Sequence, residues 1–195
     1  MELALIRHGS TEGNLKRAYV GRLDQPLCPE GVRELKKRLE STGYPRVSAV
    51  FTSPMLRCIQ TAQLIYPDLP GCMIEELQER DFGQFEGLNH REITALPGHS
   101  RWGSAPEEMP FPGGESWDAF AARSRKGFRT AVGRMIESQM DAAAIICHGG
   151  TIMAVLEQFA EPSKSRYDWQ CTPGGGFLLR YDISAKKACV ILGPV

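Results

Sequence analysis

Two histidines in this 195-residue chain each stand at the end of an apolar run and are followed by glycine: His8 in Arg7-His8-Gly9 and His148 in His148-Gly149-Gly150. A neutral imidazole carries a lone pair near pH 7, so it can serve as base or nucleophile, and an adjacent glycine permits close backbone approach. Arg7 beside His8, with Ser10 and Thr11 beyond Gly9, adds a guanidinium and hydroxyl and amide donors. That set suits a phosphoryl group. At His148 the glycines open a helical pattern, whose free N–H groups and dipole favour an anion; a glycine turn around a buried, backbone-bonded histidine fits the same residues. Arg57, in Ser53-Pro54-Met55-Leu56-Arg57, falls at the start of a predicted helix, where the dipole disfavours a cation. An anion visiting that end would account for it.

These groups need strands and helices to bring them together. Glu2 to Ile6 reads as a buried strand ending in a polar, glycine-punctuated loop. Residues 29–42 form a predicted helix with Pro29 in its first turn, Val32, Leu35 and Leu39 on one face and Gly43 as the stop. Val47 to Thr52 is a second strand. A helix follows with Ser53 as N-cap and Pro54 at its first position, its apolar stripe made by Leu56, Ile59 and Ala62. Cys72 to Leu77 reads as a third strand. Trp117 to Ser138 repeats Trp117, Phe120, Ala121, Phe128, Val132, Met135 and Ile136 at helical spacing. Ala142 to Cys147 is a strand leading into a helix through Leu156, and Phe177 to Tyr181 and Ala188 to Leu192 are two closing strands.

Alternating strands and helices predict an α/β protein, a three-layer α/β/α sandwich on a mostly parallel sheet closed by antiparallel pairing at the C-terminal end. In such sheets the binding crevice lies beyond the carboxyl ends of the strands, which puts Arg7-His8-Gly9 and His148-Gly149 on one rim. Length and composition predict one domain over residues 1–195, with no internal repeat or dividing linker. Leu88 to Glu115 breaks the regularity with Pro97, Pro106, Pro110 and Pro112. It reads as an insertion or lid over the crevice, or as an irregular surface connection.

The 23 Lys and Arg balance 23 Asp and Glu, which argues against nucleic acid or an anionic membrane surface as a partner and leaves any anion to be held locally. No apolar stretch reaches the roughly 18 residues of a membrane span, so the expected setting is cytoplasmic. The six cysteines, spread from Cys28 to Cys189 without a C-x-x-C pair, read as packing residues and offer no zinc spacing. His90 and His99 read as surface residues, and Leu23, Leu27, Phe85, Trp102 and Phe111 as leaving-group walls or core.

Arg7-His8-Gly9, Ser53-Pro54-Met55-Leu56-Arg57 with Thr61-Ala62, Leu77-Gln78-Glu79 followed by Phe82-Gly83 and Phe85-Glu86-Gly87, and His148-Gly149-Gly150 together resemble the histidine phosphatase superfamily, the phosphoglycerate mutase-like proteins. The motifs stand in the family order across residues 7–150. The resemblance implies a covalent phosphohistidine mechanism with His8 as nucleophile. It implies that Arg7, Arg57, Asn14 and His148 hold the phosphoryl oxygens and that Glu79 protonates the leaving oxygen and then activates water. Glu75, Glu76 and Asp81 lie off the motif position. Ser10 departs from the Glu or Gln of many members without touching the nucleophile. Arginines that neutralise the phosphoryl charge make a metal or other cofactor unnecessary.

Within the family, the chain's end at Val195 and the segment from Arg101-Trp102 to Ser116 are similar to short bacterial phosphatases, alpha-ribazole phosphatases of cobalamin biosynthesis among them. The resemblance therefore implies a phosphomonoesterase for a small metabolite, with alpha-ribazole 5'-phosphate as one substrate. Phosphoglycerate mutase is the alternative, and a catalytically silent phospho-ligand binder a third reading. The C-terminal strands allow a homodimer edge or a capped one.

Overall fold

The computed structural model describes residues 1–97, 111–182, 184–185 and 188–195. Its centre is a pair of parallel strands, β1 (Glu2–Arg7) and β4 (Ala142–Cys147). On one side lie β2 (Ala49–Thr52) and β3 (Gly71–Met73), and on the other β6 (Gly176–Tyr181), β7 (Cys189–Pro194) and the short β5 (Ala160–Glu161), in the order β3-β2-β4-β1-β6-β7-β5. β6 alone runs antiparallel to its neighbours, so the sheet is mostly parallel, as expected.

The central strands are continuous apolar runs because both faces are covered. Leu3, Leu5, Ala143, Ile145 and Cys147 pack on one face against Phe128 and Met135 of α5 (Trp117–Glu137) and Ile152 and Val155 of α6 (Gly149–Phe159). The intervening residues Ala4, Ile6, Ala144 and Ile146 pack on the other, against Leu35 of α2 (Pro29–Ser41) and Cys58 and Ala62 of α3 (Leu56–Ile65). The period-two alternation thus yields three layers. Two short helices complete the set, α1 (Glu12–Leu15) and α4 (His90–Ala95).

Several predicted boundaries move. The helix expected to start at Ser53-Pro54 begins at Leu56, with Met55 as a cap that makes no side-chain bond. Asp24 Oδ1 takes the Leu56 N–H at 2.7 Å instead, and the Ser53 hydroxyl is engaged elsewhere, by His148. The strand expected over Cys72 to Leu77 ends at Met73, because a 3-10 turn at Glu75–Leu77 takes over. Ile136, expected on the buried stripe of α5, is exposed. The predicted irregular stretch Leu88 to Glu115 contains α4, which Asn89 and Glu92 close with a reciprocal capping box. His90 is exposed at its first position, whereas Trp102, His99, Pro106 and Pro110 lie outside the described residues. No helix among the described residues is long and apolar enough to cross a membrane.

Candidate active site

The parallel register of β1 and β4 pairs Arg7 with Cys147, so the residue after each strand, His8 and His148, emerges side by side. Their ring centroids are 5.2 Å apart, in an edge-to-face arrangement. The rim expected from the strand ends is therefore present. Around it lies a cavity of about 350 Å³, lined by Arg7, His8, Asn14, Glu79, Gly149 and Gly150 among others.

His8 Nδ1 lies 2.7 Å from the Gly9 carbonyl. A carbonyl only accepts, so Nδ1 carries the proton and Nε2 keeps the lone pair. Burial, reinforced by the Arg57 and Arg7 charges, holds the His8 pKa well below its ordinary value. The imidazole is thus neutral and nucleophilic in mildly acidic solution. Gly9 is in turn fixed by its N–H to Thr61 Oγ1 at 3.0 Å, while Thr61 bonds back to the Arg57 carbonyl.

Each polar group at the cavity is held by backbone. Arg7 donates from one terminal nitrogen to the Cys171 carbonyl at 2.7 Å, and its buried Nε has no acceptor. Asn14 spends its carbonyl oxygen on the Thr11 N–H and hydroxyl as the third residue of α1, leaving its amide donors at the cavity. Glu79 accepts from the Arg80 N–H at 2.8 Å and from Gly150 N–H at 3.3 Å. Burial nevertheless dominates and raises its pKa, which favours the protonated acid over the carboxylate. A Cβ on Gly150 would lie 2.6 Å from Glu79 Oε1, so a side chain there would displace the Glu79 carboxyl from its place. Gly149 and Gly150 also open α6, whose positive end faces the cavity.

Arg57 and His148 are brought to the same place but not to its surface. Both are completely buried and neither lines the cavity. Arg57 stands at the helix start expected of it, as the second residue of α3, but its terminal nitrogens donate to the carbonyls of Leu23 and Gly21, each at 2.9 Å, and of Val20 at 3.4 Å. Three carbonyl dipoles offset the cost of burying the guanidinium at a helix start. Its Nε remains without an acceptor. Arg57 also approaches His148 Nδ1 at 3.3 Å, and since guanidinium only donates, His148 Nε2 carries the proton and donates to Ser53 Oγ at 2.9 Å. Burial and the Arg57 charge keep His148 neutral, its pKa well below the ordinary value.

Two supports escaped the sequence. Glu86 collects the N–H groups of Gly21, Arg22, Leu23 and Phe82 on its two oxygens, and so shapes the loop whose carbonyls hold Arg57. Arg123, far along α5, donates to the carbonyls of Glu76, Gln78 and Glu79 and pairs with Glu115 at 2.7 Å, pinning the turn that carries Glu79. Neither role shows in the sequence: Glu86 stands in the Phe85-Glu86-Gly87 motif with no role attached to it, and an Arg on a helix is an ordinary surface residue. The acids set aside are otherwise engaged: Glu76 with Lys126, Glu75 with Gln78 and Asp81 with the Gly83 N–H. Ser10 bonds Glu34. Of the proposed apolar walls, Phe111 lines a neighbouring cavity, Phe85 and Leu27 pack in core clusters, and Leu23 is exposed.

Glu12, Cys28 and Glu30 bring ligand atoms within 4.8 Å of one another, but Cys28 Sγ caps α2 by accepting from Gly31 N–H and Glu30 bonds Arg33.

The sheet topology and the paired histidines define an α/β protein with its site at the carboxyl ends of parallel strands. The description "Histidine phosphatase superfamily (branch 1)" matches residues 3–185, and the chain belongs to that family. A relative from Gloeobacter violaceus, named 2,3-bisphosphoglycerate-dependent phosphoglycerate mutase 2, is 32% identical over 162 residues, 79% of this chain and 73% of its own length. Among solved structures, the alpha-ribazole phosphatase from Shigella flexneri superposes with a TM-score of 0.76 at 25% identity, covering 98% of this chain and 94% of the other. TTHB049 from Thermus thermophilus superposes with a TM-score of 0.70 at 29% identity, covering 100% of this chain and 99% of the other.

Proposed function

We propose that this protein is a phosphomonoesterase that works through a phosphohistidine on His8. The observation that carries the reading is His8 itself: Nδ1 is tied to a backbone carbonyl, so the Nε2 lone pair is left at a cavity flanked by Arg7, Asn14 and the start of α6. In the first step Nε2 attacks phosphorus in line, the P–O bond to the alcohol breaks, and Glu79 delivers its proton to the leaving oxygen. Water then attacks the phosphohistidine, Glu79 takes its proton, the P–N bond breaks and His8 is restored. Arg7 and Asn14 hold phosphoryl oxygens from the cavity wall, and Arg57 adds its charge from the buried side, with neutral His148 bonded against it. The arginines supply the neutralisation that the transferred group needs, so this reading requires no metal.

Water as acceptor is favoured over a sugar-acid phosphate by the likeness to an alpha-ribazole phosphatase across nearly the whole chain. Alpha-ribazole 5'-phosphate, and with it a place in cobalamin assembly, is the substrate that this likeness suggests. The mutase reading rests on the relatives named phosphoglycerate mutase. To separate them, the protein is assayed in EDTA for phosphate release from p-nitrophenyl phosphate and alpha-ribazole 5'-phosphate. In parallel it is incubated with 3-phosphoglycerate and 2,3-bisphosphoglycerate. Metal-independent phosphate release is expected; fast formation of 2-phosphoglycerate with little release would reverse the choice.

A further inference from the structure

Beside the phosphate-sized cavity lies a second one, of about 280 Å³, whose wall is largely aromatic: Tyr19, Phe82, Phe111, Trp117 and Phe120. Glu79 lines both cavities, so its carboxyl has open space on two sides. Its own bonds hold it loosely. One N–H comes from the next residue, Arg80, and moves with it, and the other, from Gly150, is long at 3.3 Å. Regular structure does not hold it either, since Glu79 lies between the 3-10 turns at Glu75–Leu77 and Gly83–Phe85, outside any strand or helix. The carboxyl is therefore placed only as well as the main chain beneath it.

That main chain is gripped by Arg123. One terminal nitrogen donates to the carbonyls of Glu76 at 3.0 Å and Gln78 at 2.8 Å, and the other to that of Glu79 at 3.2 Å. Nε and the second terminal nitrogen together take the two oxygens of Glu115, at 3.0 and 2.7 Å. These bonds engage every N–H of the guanidinium. Glu115 is tied to the same stretch of chain, its N–H donating to the Asp81 carbonyl and its carbonyl accepting from Arg80 Nε, each at 2.9 Å. One turn further along α5, Gly127 lets the helix come this close: a Cβ there would lie 2.9 Å from Leu77 Cδ2 and 3.1 Å from the Glu76 carbonyl carbon. Arg123 itself lines neither cavity. Whatever it does for the reaction, it does through Glu79.

We propose that Arg123, clasped by Glu115, is a positioning residue for proton transfer alone: it holds the Glu79 carboxyl where a departing oxygen collects its proton, and it has no part in the attack by His8. This rests on the phosphomonoesterase reading above and adds to it the pair that makes Glu79 effective. His8 is set by different atoms, the Gly9 carbonyl and the end of β1, so a loosened Glu79 turn leaves the nucleophile in place. An acid displaced by about 1 Å loses much of its effect. Without Arg123 the protein should still split esters whose alcohol leaves unaided and fail on those whose alcohol needs a proton.

The test is a double-mutant cycle read on two esters, p-nitrophenyl phosphate and the alkyl ester ribose 5-phosphate. The quantity is kcat/KM, which ends with departure of the alcohol and so excludes the water step, in which Glu79 also acts. Arg123→Gln should lower kcat/KM on ribose 5-phosphate by about ten- to a hundredfold, a large part of what a placed acid contributes, and leave p-nitrophenyl phosphate nearly unchanged. Added to Glu79→Gln, it should lower ribose 5-phosphate turnover little further, because both changes remove the same step. If Arg123→Gln shows no thermal unfolding transition, Arg123→Lys takes its place; it keeps the stem and the charge, but one nitrogen cannot span these contacts, and the same selective loss is expected. Equal losses on the two esters in a folded variant, no loss on either, or losses that multiply fully with Glu79→Gln would reduce Arg123 to a structural staple and overturn the inference. If the unsubstituted protein releases phosphate from neither ester, the phosphomonoesterase reading falls first and takes this inference with it.

Discussion

The two adjoining cavities are built from different materials. In the first, the polar groups are fixed by main-chain atoms: His8 by the Gly9 carbonyl, Arg7 by that of Cys171, Arg57 by those of Val20, Gly21 and Leu23, and Glu79 by the Arg80 N–H. In the second, the side chains hold one another through ring–ring and ring–cation contacts. Main-chain anchors set position to a fraction of an ångström and leave nothing to choose. Ring packing sets a shape that changes with each substitution. The first arrangement suits a fixed reaction, and the second suits selection among substrates.

If that division holds, changes in the first cavity cost rate on every substrate. His8→Ala should reduce turnover by on the order of 10⁴-fold or more and abolish an acid-quenched phosphoprotein, since the attacking atom itself is gone. Retained labelling in that variant would place the nucleophile elsewhere. Arg57→Ala should lower kcat/KM by about a hundredfold, because it removes the buried charge behind the cavity wall and leaves the carbonyls and His148 Nδ1 it serves unpaired, and Arg57→Lys should recover little because an ammonium cannot reach three carbonyls and His148 together.

Glu79 gives a graded test. Glu79→Gln should slow alkyl phosphates by roughly a hundredfold but p-nitrophenyl phosphate far less, because a good leaving group needs no proton. The pH profile carries the sign. His8, with its pKa depressed by burial, stays unprotonated well below about 6.5, so the acid limb lies low. Glu79, with its pKa raised by burial, loses its proton as pH climbs through that raised value, and kcat/KM for alkyl phosphates should fall there. In Glu79→Gln the alkaline limb should vanish; an unchanged limb would remove Glu79 from the acid role.

The smallest effect should come from Glu86→Gln. The substituted amide sets an NH₂ against N–H groups that one carboxylate oxygen accepts, at a cost of about 1–3 kcal/mol. A melting midpoint lower by several degrees, with a modest fall in kcat for every substrate alike, is the expected pair of results. A change confined to one substrate would move Glu86 from support to recognition.

What the sequence disclosed follows the same division. The strand ends, the histidines and the glycines were legible because short apolar runs and glycine have local causes. The layers were legible from Ala4, Ile6, Ala144 and Ile146 alternating with Leu3, Leu5, Ala143 and Ile145. The resemblance brought Arg57 into the site but did not show it as a buried ion, since the carbonyls around it come from a loop more than thirty positions earlier. Ser53 misled for a similar reason: its hydroxyl suits a helix cap locally, and a histidine 95 positions away claims it. The aromatic cavity was hidden most deeply. Tyr19, Phe82, Phe111 and Trp117 come from separate segments; Phe111 read as a leaving-group wall or core and Trp117 as part of a helical stripe, and no local pattern joins the four.

The pairing of Arg7 with Cys147 across β1 and β4 makes the sheet a ruler for the reaction. A slip of one residue would turn one histidine to the opposite face and separate the pair altogether, so the apolar alternation that prevents such a slip also sets the working distance. The crossover segments between the two strands carry no such duty. Evolution is therefore free to lengthen and recolour the loops and helices between the two strands wherever they do not carry Asn14, Arg57, Glu79 or the groups that hold them, while the spacing of the two histidines stays calibrated by two short stretches of alanine, leucine and isoleucine.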